Sequence, residues 1–145
     1  MVTAVLTGAE TALGRKTIAL LQEGSDESGD DVVETRPLDR LMADDLKRRT
    51  DGSDVVVHLA VGTPETPTGG THDVEAARRV FDAASAANVR HMVVISDASV
   101  YGAWANNPVP LTDDAVLRPN PGFAWAAERA EIGRASCRER VSSVV

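Results

Sequence analysis

Several residue types are scarce in this sequence, and each shortage excludes a class of protein. Aromatic residues make up only 3% of the 145 residues, so aliphatic side chains must supply most of the packing. The one cysteine, Cys137, excludes an internal disulfide and a cysteine-based metal cluster. The sequence also lacks an apolar run of about 18 residues and an apolar leader with a small-residue cleavage site. We therefore expect neither a membrane-spanning helix nor a secretion signal.

Basic residues are outnumbered as well. The 15 Lys and Arg residues face 22 Asp and Glu residues, which gives a net charge of −7. Nucleic acids and anionic membranes bind basic surfaces, so this balance argues against both as partners. The hydrophobic content of 43% is sufficient for a core, and the length predicts one domain. Together these features favour a soluble, acidic, cytoplasmic protein.

Apolar runs alternate with helical stretches along the chain. The runs predict strands over Val2–Leu6, Val32–Thr35, Val55–Ala60 and His91–Ser96, and the periodic stretches predict helices over Gly14–Glu23 and Val74–Ala87. Val and Ile are almost continuous in the third and fourth strands, which indicates burial on both faces. The predicted fold class is therefore α/β, a doubly wound parallel sheet in a Rossmann-like three-layer sandwich.

A glycine turn connects the first strand to the first helix. Gly8 permits the tight turn, Thr11 stands where a further glycine is expected, and Gly14 permits close packing of the helix on the strand. The free N–H groups and the dipole of a helix start attract the phosphates of a dinucleotide. Such a turn also serves plain backbone geometry, and it is the rest of the chain that favours the binding role.

The second strand indicates which dinucleotide binds. Glu34 lies about 20 residues after the last glycine, where a carboxylate hydrogen-bonds the adenosine ribose and favours NAD. Arg36 is placed to contact the 2′-phosphate of NADP instead. Because the acidic residue comes first, we predict NAD as the cofactor and keep NADP as the alternative.

Three motifs in order resemble a known family. The glycine turn is followed by His58-Leu59-Ala60 and then by the run Val93–Gly102, which ends in Val-Tyr-Gly. This order resembles the extended short-chain dehydrogenase/reductase family, of the NAD-dependent epimerase/dehydratase type. The resemblance implies an NAD(P)-binding Rossmann domain over residues 1–130, truncated at its C-terminus, whose relatives act on nucleotide sugars or similar carbonyl or alcohol substrates. The implied cofactor contacts are Gly8, Thr11, Leu13, Gly14, Glu34, Arg36, Leu59, Ala60 and Ser96.

The catalytic positions of that family are substituted in this chain. The family's Ser or Thr falls at Asp97, and its Tyr and Lys fall at Trp125 and Arg129. A second alignment places Phe123 and Ala127 at the Tyr and Lys positions. We prefer the first because it keeps an aromatic residue and a cation on one helical face. An indole cannot act as a base and an arginine stays charged, so proton transfer of the family type is in doubt.

These residues have structural interpretations too. Trp125 on an Ala-rich helix is typical of a packing residue, Asp97 at a strand end is typical of a cap, and His58 is typical of a core histidine. Two function hypotheses follow: an NAD-dependent oxidoreductase or epimerase/dehydratase, or a catalytically inactive dinucleotide-binding sensor or partner module. The predicted partners are the nicotinamide dinucleotide, a small-molecule substrate if the protein is active, and a second copy in a homodimer. No metal is predicted.

The end of the chain does not fit the family. Residues 131–145 do not continue the amphipathic helix expected there, and Glu131–Val141 reverse-translates into a common short-read sequencing adapter. We therefore interpret residues 131–145 as an atypical, candidate non-native tail in which Cys137 carries no selected function. The predicted boundary of the NAD(P)-binding domain is residue 130.

Overall fold

The computed structural model describes residues 2–28, 33–38, 43–59 and 71–138. Strands and helices alternate through these ranges. The strands are β1 (Val2–Thr7), β2 (Val33–Leu38), β3 (Val55–His58) and β4 (His91–Val94). The helices are α1 (Ala12–Ser28), α2 (Ala43–Thr50), α3 (Thr71–Ala86) and α4 (Ala124–Arg138), and a short 3₁₀ turn covers Ala98–Tyr101.

The four strands form one parallel sheet in the order β2-β1-β3-β4. Thr7, the last residue of β1, pairs with Leu38 of β2 and with His58 of β3, so these three strands end at the same level. The chain runs from β1 to β2 on one side and then returns to β3 on the other side. The strand order therefore reverses at the carboxyl end of β1, which is where open α/β sheets bind ligands.

Apolar clusters cover both faces of the sheet. On one face, Val5 and Val56 pack with Met92 and with residues of α2, α3 and α4. On the other face, Leu6 packs with Ile18 of α1 and with neighbouring strand residues. Leu6 and Val5 point to opposite faces because side chains alternate along a strand. The prediction of a parallel, three-layer α/β domain is confirmed.

The side chains of the edge strand β4 are less buried than predicted. Met92 is buried, but Val93, on the opposite face of the same strand, is 47% exposed. Helix α1 packs against β1 and β3 on that face, and β4 is the outermost strand of the described sheet. The prediction that the fourth strand is buried on both faces is therefore wrong for this chain.

Several element boundaries also differ from the prediction. β2 continues past Thr35 to Leu38 and includes Pro37, which an edge strand tolerates. β3 ends at His58 and β4 ends at Val94, earlier than predicted. Helix α2 was not predicted, because its eight residues are mostly charged. None of the helices in the described ranges is long and apolar enough to cross a membrane.

Helix α4 continues beyond the predicted domain boundary. Ile132 is 2% exposed and belongs to the cluster beneath α3, and Glu131 forms an ion pair with Arg78 at 2.7 Å. The expectation that the residues from 131 onward do not continue the helix is wrong for residues 131–138, since Glu, Arg and Ala favour helix. The coding origin of residues 131–145 stays a prediction, and residues 139–145 lie outside the described ranges.

Candidate functional site

The turn between β1 and α1 lies at the point where the strand order reverses. Gly8 has a φ of 72°, which glycine adopts at no steric cost. A Cβ atom on Gly14 would lie 2.1 Å from the carbonyl oxygen of Gly8 and 2.8 Å from Cα of Ala9. Only glycine at position 14 therefore lets α1 begin this close to β1.

Thr11 caps α1 from within the turn. Its hydroxyl donates to the carbonyl oxygen of Gly8 at 2.8 Å and accepts from the N–H of Gly14 at 2.9 Å. A glycine at this position could make neither bond. Thr11 satisfies one of the donors that a helix start leaves unpaired, so the N–H of Gly14 is engaged within the turn.

Two further donors of the first turn stay open. The N–H groups of Ala12 and Leu13 have no partner among the residues that the structure describes. The side chain of Leu13 beside them is 50% exposed. Open N–H groups at the positive end of a helix, next to a glycine turn, form a site for a phosphate group. These residues fit a dinucleotide.

The residues predicted to select the cofactor lie within β2. Glu34 pairs with Thr3 of β1, and Arg36 pairs with Val5. The strand ends at Leu38, so Glu34 is the second residue of the strand rather than near its carboxyl end. The predicted position of Glu34 at the strand end is therefore wrong, because β2 is longer than the sequence indicated. Its contact with the ribose stays a prediction.

The other predicted cofactor contacts follow β3 and β4. Leu59 is buried, and its N–H donates to the carbonyl oxygen of Thr7 at 3.1 Å. That bond links the ends of β1 and β3 and engages the backbone N–H of Leu59 within the sheet. Ser96 follows β4 and is exposed, and Ala60 lies outside the described residues.

Asp97, at the family's Ser or Thr position, caps the 3₁₀ turn. Its carboxylate accepts the N–H of Ser99 at 2.7 Å. The hydroxyl and N–H of Ser99 beside the carboxylate lower the pKa of Asp97. Asp97 is therefore ionised at neutral pH and cannot donate a hydrogen bond to a substrate oxygen, as the family's hydroxyl does.

Arg129, at the family's Lys position, forms a buried ion pair with Asp73. The pair joins α4 to the first turn of α3, and Arg129 is 2% exposed. The guanidinium also stacks over the ring of Trp125, 5.4 Å from its centroid. Phe123, the tyrosine position of the second alignment, stacks on Trp125 with ring centroids 6.2 Å apart. Trp125 and Arg129 therefore lie on one face of α4, as the preferred alignment predicts.

The sequence did not reveal Asp73 as the partner of Arg129. The contact is made by one guanidinium nitrogen, Nη2 of Arg129, which donates to Oδ2 of Asp73. Because 56 residues separate them, only the packing of α3 on α4 brings them together.

Several buried polar atoms near this ion pair have no partner among the described residues. Nδ1 of His58 lies 2.7 Å from the hydroxyl of Thr7, but Nε2 has no partner in the described part of the chain. Within the same ranges, the indole N–H of Trp125 and two guanidinium nitrogens of Arg129, Nε and Nη1, also have none. Burial lowers the pKa of His58 to about 4, with Asp73 opposing this shift and Arg129 adding to it. His58 is therefore neutral at physiological pH.

Within the described ranges, no group of three or more His, Cys, Asp or Glu side chains is placed to hold a metal ion. The donors that converge at the carboxyl end of β1 are backbone N–H groups instead. The fold and this turn define a dinucleotide-binding domain of the Rossmann type.

The sequence matches the NAD(P)H-binding family over residues 7–137, and the chain belongs to that family. The match includes the glycine turn, strands β2 to β4 and most of α4. No curated protein sequence is similar enough to serve as a relative.

Solved structures share the fold, and two of the three described here are nucleotide-sugar enzymes. A short-chain dehydrogenase/reductase superfamily protein from Agrobacterium tumefaciens, with bound NAD, is 24% identical with a TM-score of 0.68 and coverage of 92% of this chain and 43% of that chain. The dTDP-glucose 4,6-dehydratase of Streptomyces venezuelae, a double mutant with NAD bound, is 20% identical with a TM-score of 0.69, and the match covers 91% of this chain and 49% of that chain. The UDP-N-acetylglucosamine 4-epimerase of Bacillus cereus is 21% identical with a TM-score of 0.66, and the match covers 95% of this chain and 55% of that chain. The chain thus spans about half the length of these structures.

Proposed function

We propose that this chain is the NAD-binding part of an oxidoreductase related to the NAD-dependent epimerases and dehydratases of nucleotide sugars. The observation that carries the proposal is the glycine turn at the end of β1, with the open N–H groups of Ala12 and Leu13 at the start of α1. The similar structures support the substrate class, since they include a dTDP-glucose 4,6-dehydratase and a UDP-N-acetylglucosamine 4-epimerase.

Each part of the turn has a role in this proposal. Gly8 and Gly14 bring the start of α1 against β1, and the N–H groups of Ala12 and Leu13 donate to a phosphate oxygen of the dinucleotide. Leu13 offers an apolar side chain beside that phosphate. NAD, when bound, supplies the acceptor for a hydride. Glu34 and Arg36 of β2 are the proposed selectors between NAD and NADP.

A second candidate function is dinucleotide binding without turnover. The observation that favours it is the buried ion pair of Arg129 with Asp73, because the cation at the family's Lys position is already engaged by a carboxylate. Asp97 caps its turn and Trp125 packs on Phe123 and Arg129, so neither of these supplies an acid or a base. This candidate describes a sensor or a partner module.

Calorimetric titration of NAD into the chain and a pair of glycine variants tests the binding proposal. In Gly14→Ala the new methyl group would meet the carbonyl oxygen of Gly8 at 2.1 Å, so the turn must open. We expect at least tenfold weaker NAD binding, about 1.4 kcal/mol. Gly24→Ala is the matched control, because its Cβ on the same helix meets nothing within 4 Å. Equal affinities of the two variants would contradict the proposal.

A further inference from the structure

An arginine is fixed on the rim of the glycine turn. Arg15 follows Gly14 in the first turn of α1, and its Nη1 group donates a hydrogen bond to the carbonyl oxygen of Glu10. Glu10 lies between Gly8 and Thr11 in the same turn. The bond therefore folds the arginine side chain back over the turn instead of leaving it extended into solvent.

A neutral oxygen holds this arginine, as one holds Arg134, whereas three other arginines are held by charged groups. Arg78, Arg90 and Arg129 each pair with a carboxylate. Arg15 is held by a neutral carbonyl oxygen and pairs with no carboxylate in the part of the chain that the structure describes. No carboxylate of the described residues therefore offsets its charge, and a guanidinium with one donor engaged keeps four N–H groups for another acceptor.

The positive charge of Arg15 lies in an acidic environment. The chain carries a net charge of −7, and the exposed Glu10 adds a carboxylate beside the turn. Both repel an anionic dinucleotide, while the open N–H groups of Ala12 and Leu13 contribute only partial charges. A full positive charge on the rim offsets this repulsion, and a guanidinium suits phosphate oxygens through its planar fork.

We infer that Arg15 is a phosphate-contacting residue of the cofactor site, which rests on the proposed function. The phosphate is either the pyrophosphate, which NAD and NADP share, or the 2′-phosphate, which only NADP carries. Arg15 keeps its contact with Glu10 and turns its remaining donors to that phosphate.

Titration calorimetry with NAD and NADP tests the inference on the full chain. Arg15→Ala is compared with Arg15→Lys and with Lys16→Ala, which removes an equally exposed cation from the next position on the helix. We expect about tenfold weaker binding for Arg15→Ala, a smaller loss for Arg15→Lys, and less than about a twofold change for Lys16→Ala. Circular dichroism melting checks that each variant is folded.

The pattern of losses identifies the phosphate. Equal weakening of NAD and NADP by Arg15→Ala supports a pyrophosphate contact, and weakening of NADP alone supports a 2′-phosphate contact. An unchanged affinity for both, or an equal loss in Lys16→Ala, overturns the inference while the proposed function stands. If the unmodified chain binds neither dinucleotide, the proposed function fails and the inference fails with it.

Discussion

At the scale of single residues, the ion pair of Asp73 with Arg129 is the contact in the candidate site from which we expect the largest effect on stability. Both side chains are more than nine-tenths buried. A buried charge that loses its partner costs about 3–5 kcal/mol, whereas replacement of the whole pair by neutral groups is often close to neutral. The pair therefore fixes the position of α4 on α3.

A double-mutant cycle measures the interaction free energy of the pair. We expect Asp73→Asn and Arg129→Met each to lower the free energy of unfolding by about 3–5 kcal/mol, because each leaves one buried charge unpaired. The double variant should recover a large part of this loss, which urea denaturation at pH 7 will show. Additive effects of the two changes would mean that the charges do not interact.

His58 gives the stability a predictable pH dependence. Its pKa is about 4 in the folded state, against 6.5 for an unperturbed histidine. The folded state therefore favours the neutral ring, and its contribution is fully present above pH 6.5 and is lost as the pH falls towards 4. The loss approaches about 1.4 kcal/mol per pH unit.

Urea denaturation between pH 7.5 and pH 4.5 checks this dependence. His58→Asn is the test variant, since the Asn amide places a polar atom near the position of Nδ1 that faces Thr7. We expect the slope between pH 6.5 and pH 4.5 to become shallower in this variant and to persist in His91→Gln, which changes an exposed histidine. A slope that survives in His58→Asn would assign it to other groups.

The residue scale also shows what a sequence can reveal about a site. Gly8 and Gly14 were recognisable because their spacing is local and reflects a steric requirement within one turn. The role of Asp97 as a cap was predicted as one of two alternatives for the same reason. The partner of Arg129 was not predictable, because it lies on another helix and the contact depends on how α3 and α4 pack.

At the scale of elements, strands were easier to predict than their ends. The apolar runs of β1, β3 and β4 begin where the sequence placed them, since burial imposes a strong hydrophobic pattern. β2 extends three residues beyond the predicted end, and that extension moves the sheet edge away from Glu34. Helix α2 is short and charged, and only Leu46 and Thr50 of its described side chains are buried. A periodic pattern is too weak to detect in so few residues.

Helix α4 includes residues 131–138, which belong to the candidate non-native tail. Ile132 and Glu131 make contacts with the rest of the fold, but helix-forming residues from any source would extend a helix that Ala124 has already begun. We therefore retain the proposal that residues 131–145 are read from contaminating adapter DNA. Sequencing the source locus across the codon for Glu131 is expected to show a different continuation. An uninterrupted genomic match through Val145 would refute it.

At the scale of the whole molecule, binding and turnover have separate requirements. The glycine turn lies within residues 8–14, between β1 and α1, and is present in this chain. Turnover also needs a proton donor or acceptor and contacts that hold the substrate over the cofactor. The chain spans 55% or less of the similar structures described above, so contacts made by the rest of such a protein are not available in an assay of this chain.

We therefore expect this chain to bind NAD but to show no appreciable dehydrogenase or epimerase turnover. The loss of a positioned acid or base costs about 10² to 10⁴ in rate, and Asp97, Trp125 and Arg129 supply no such group in their present contacts. Changing them together to Ser, Tyr and Lys should not restore full activity. Arg129→Lys places a shorter cation opposite Asp73, and substrate orientation, which can contribute as much as the chemistry, is not repaired.

Nicotinamide absorbance with a panel of nucleotide sugars and simple alcohols, on the unmodified chain and on the triple variant, measures both expectations. NAD titration of the same samples serves as the control, because it separates a failure to bind from a failure to react. Robust turnover by the unmodified chain would contradict the structural roles assigned to Asp97 and Trp125. Full turnover by the triple variant alone would instead show that these three positions were the only defect, and that residues 1–130 position a substrate without help from further chain.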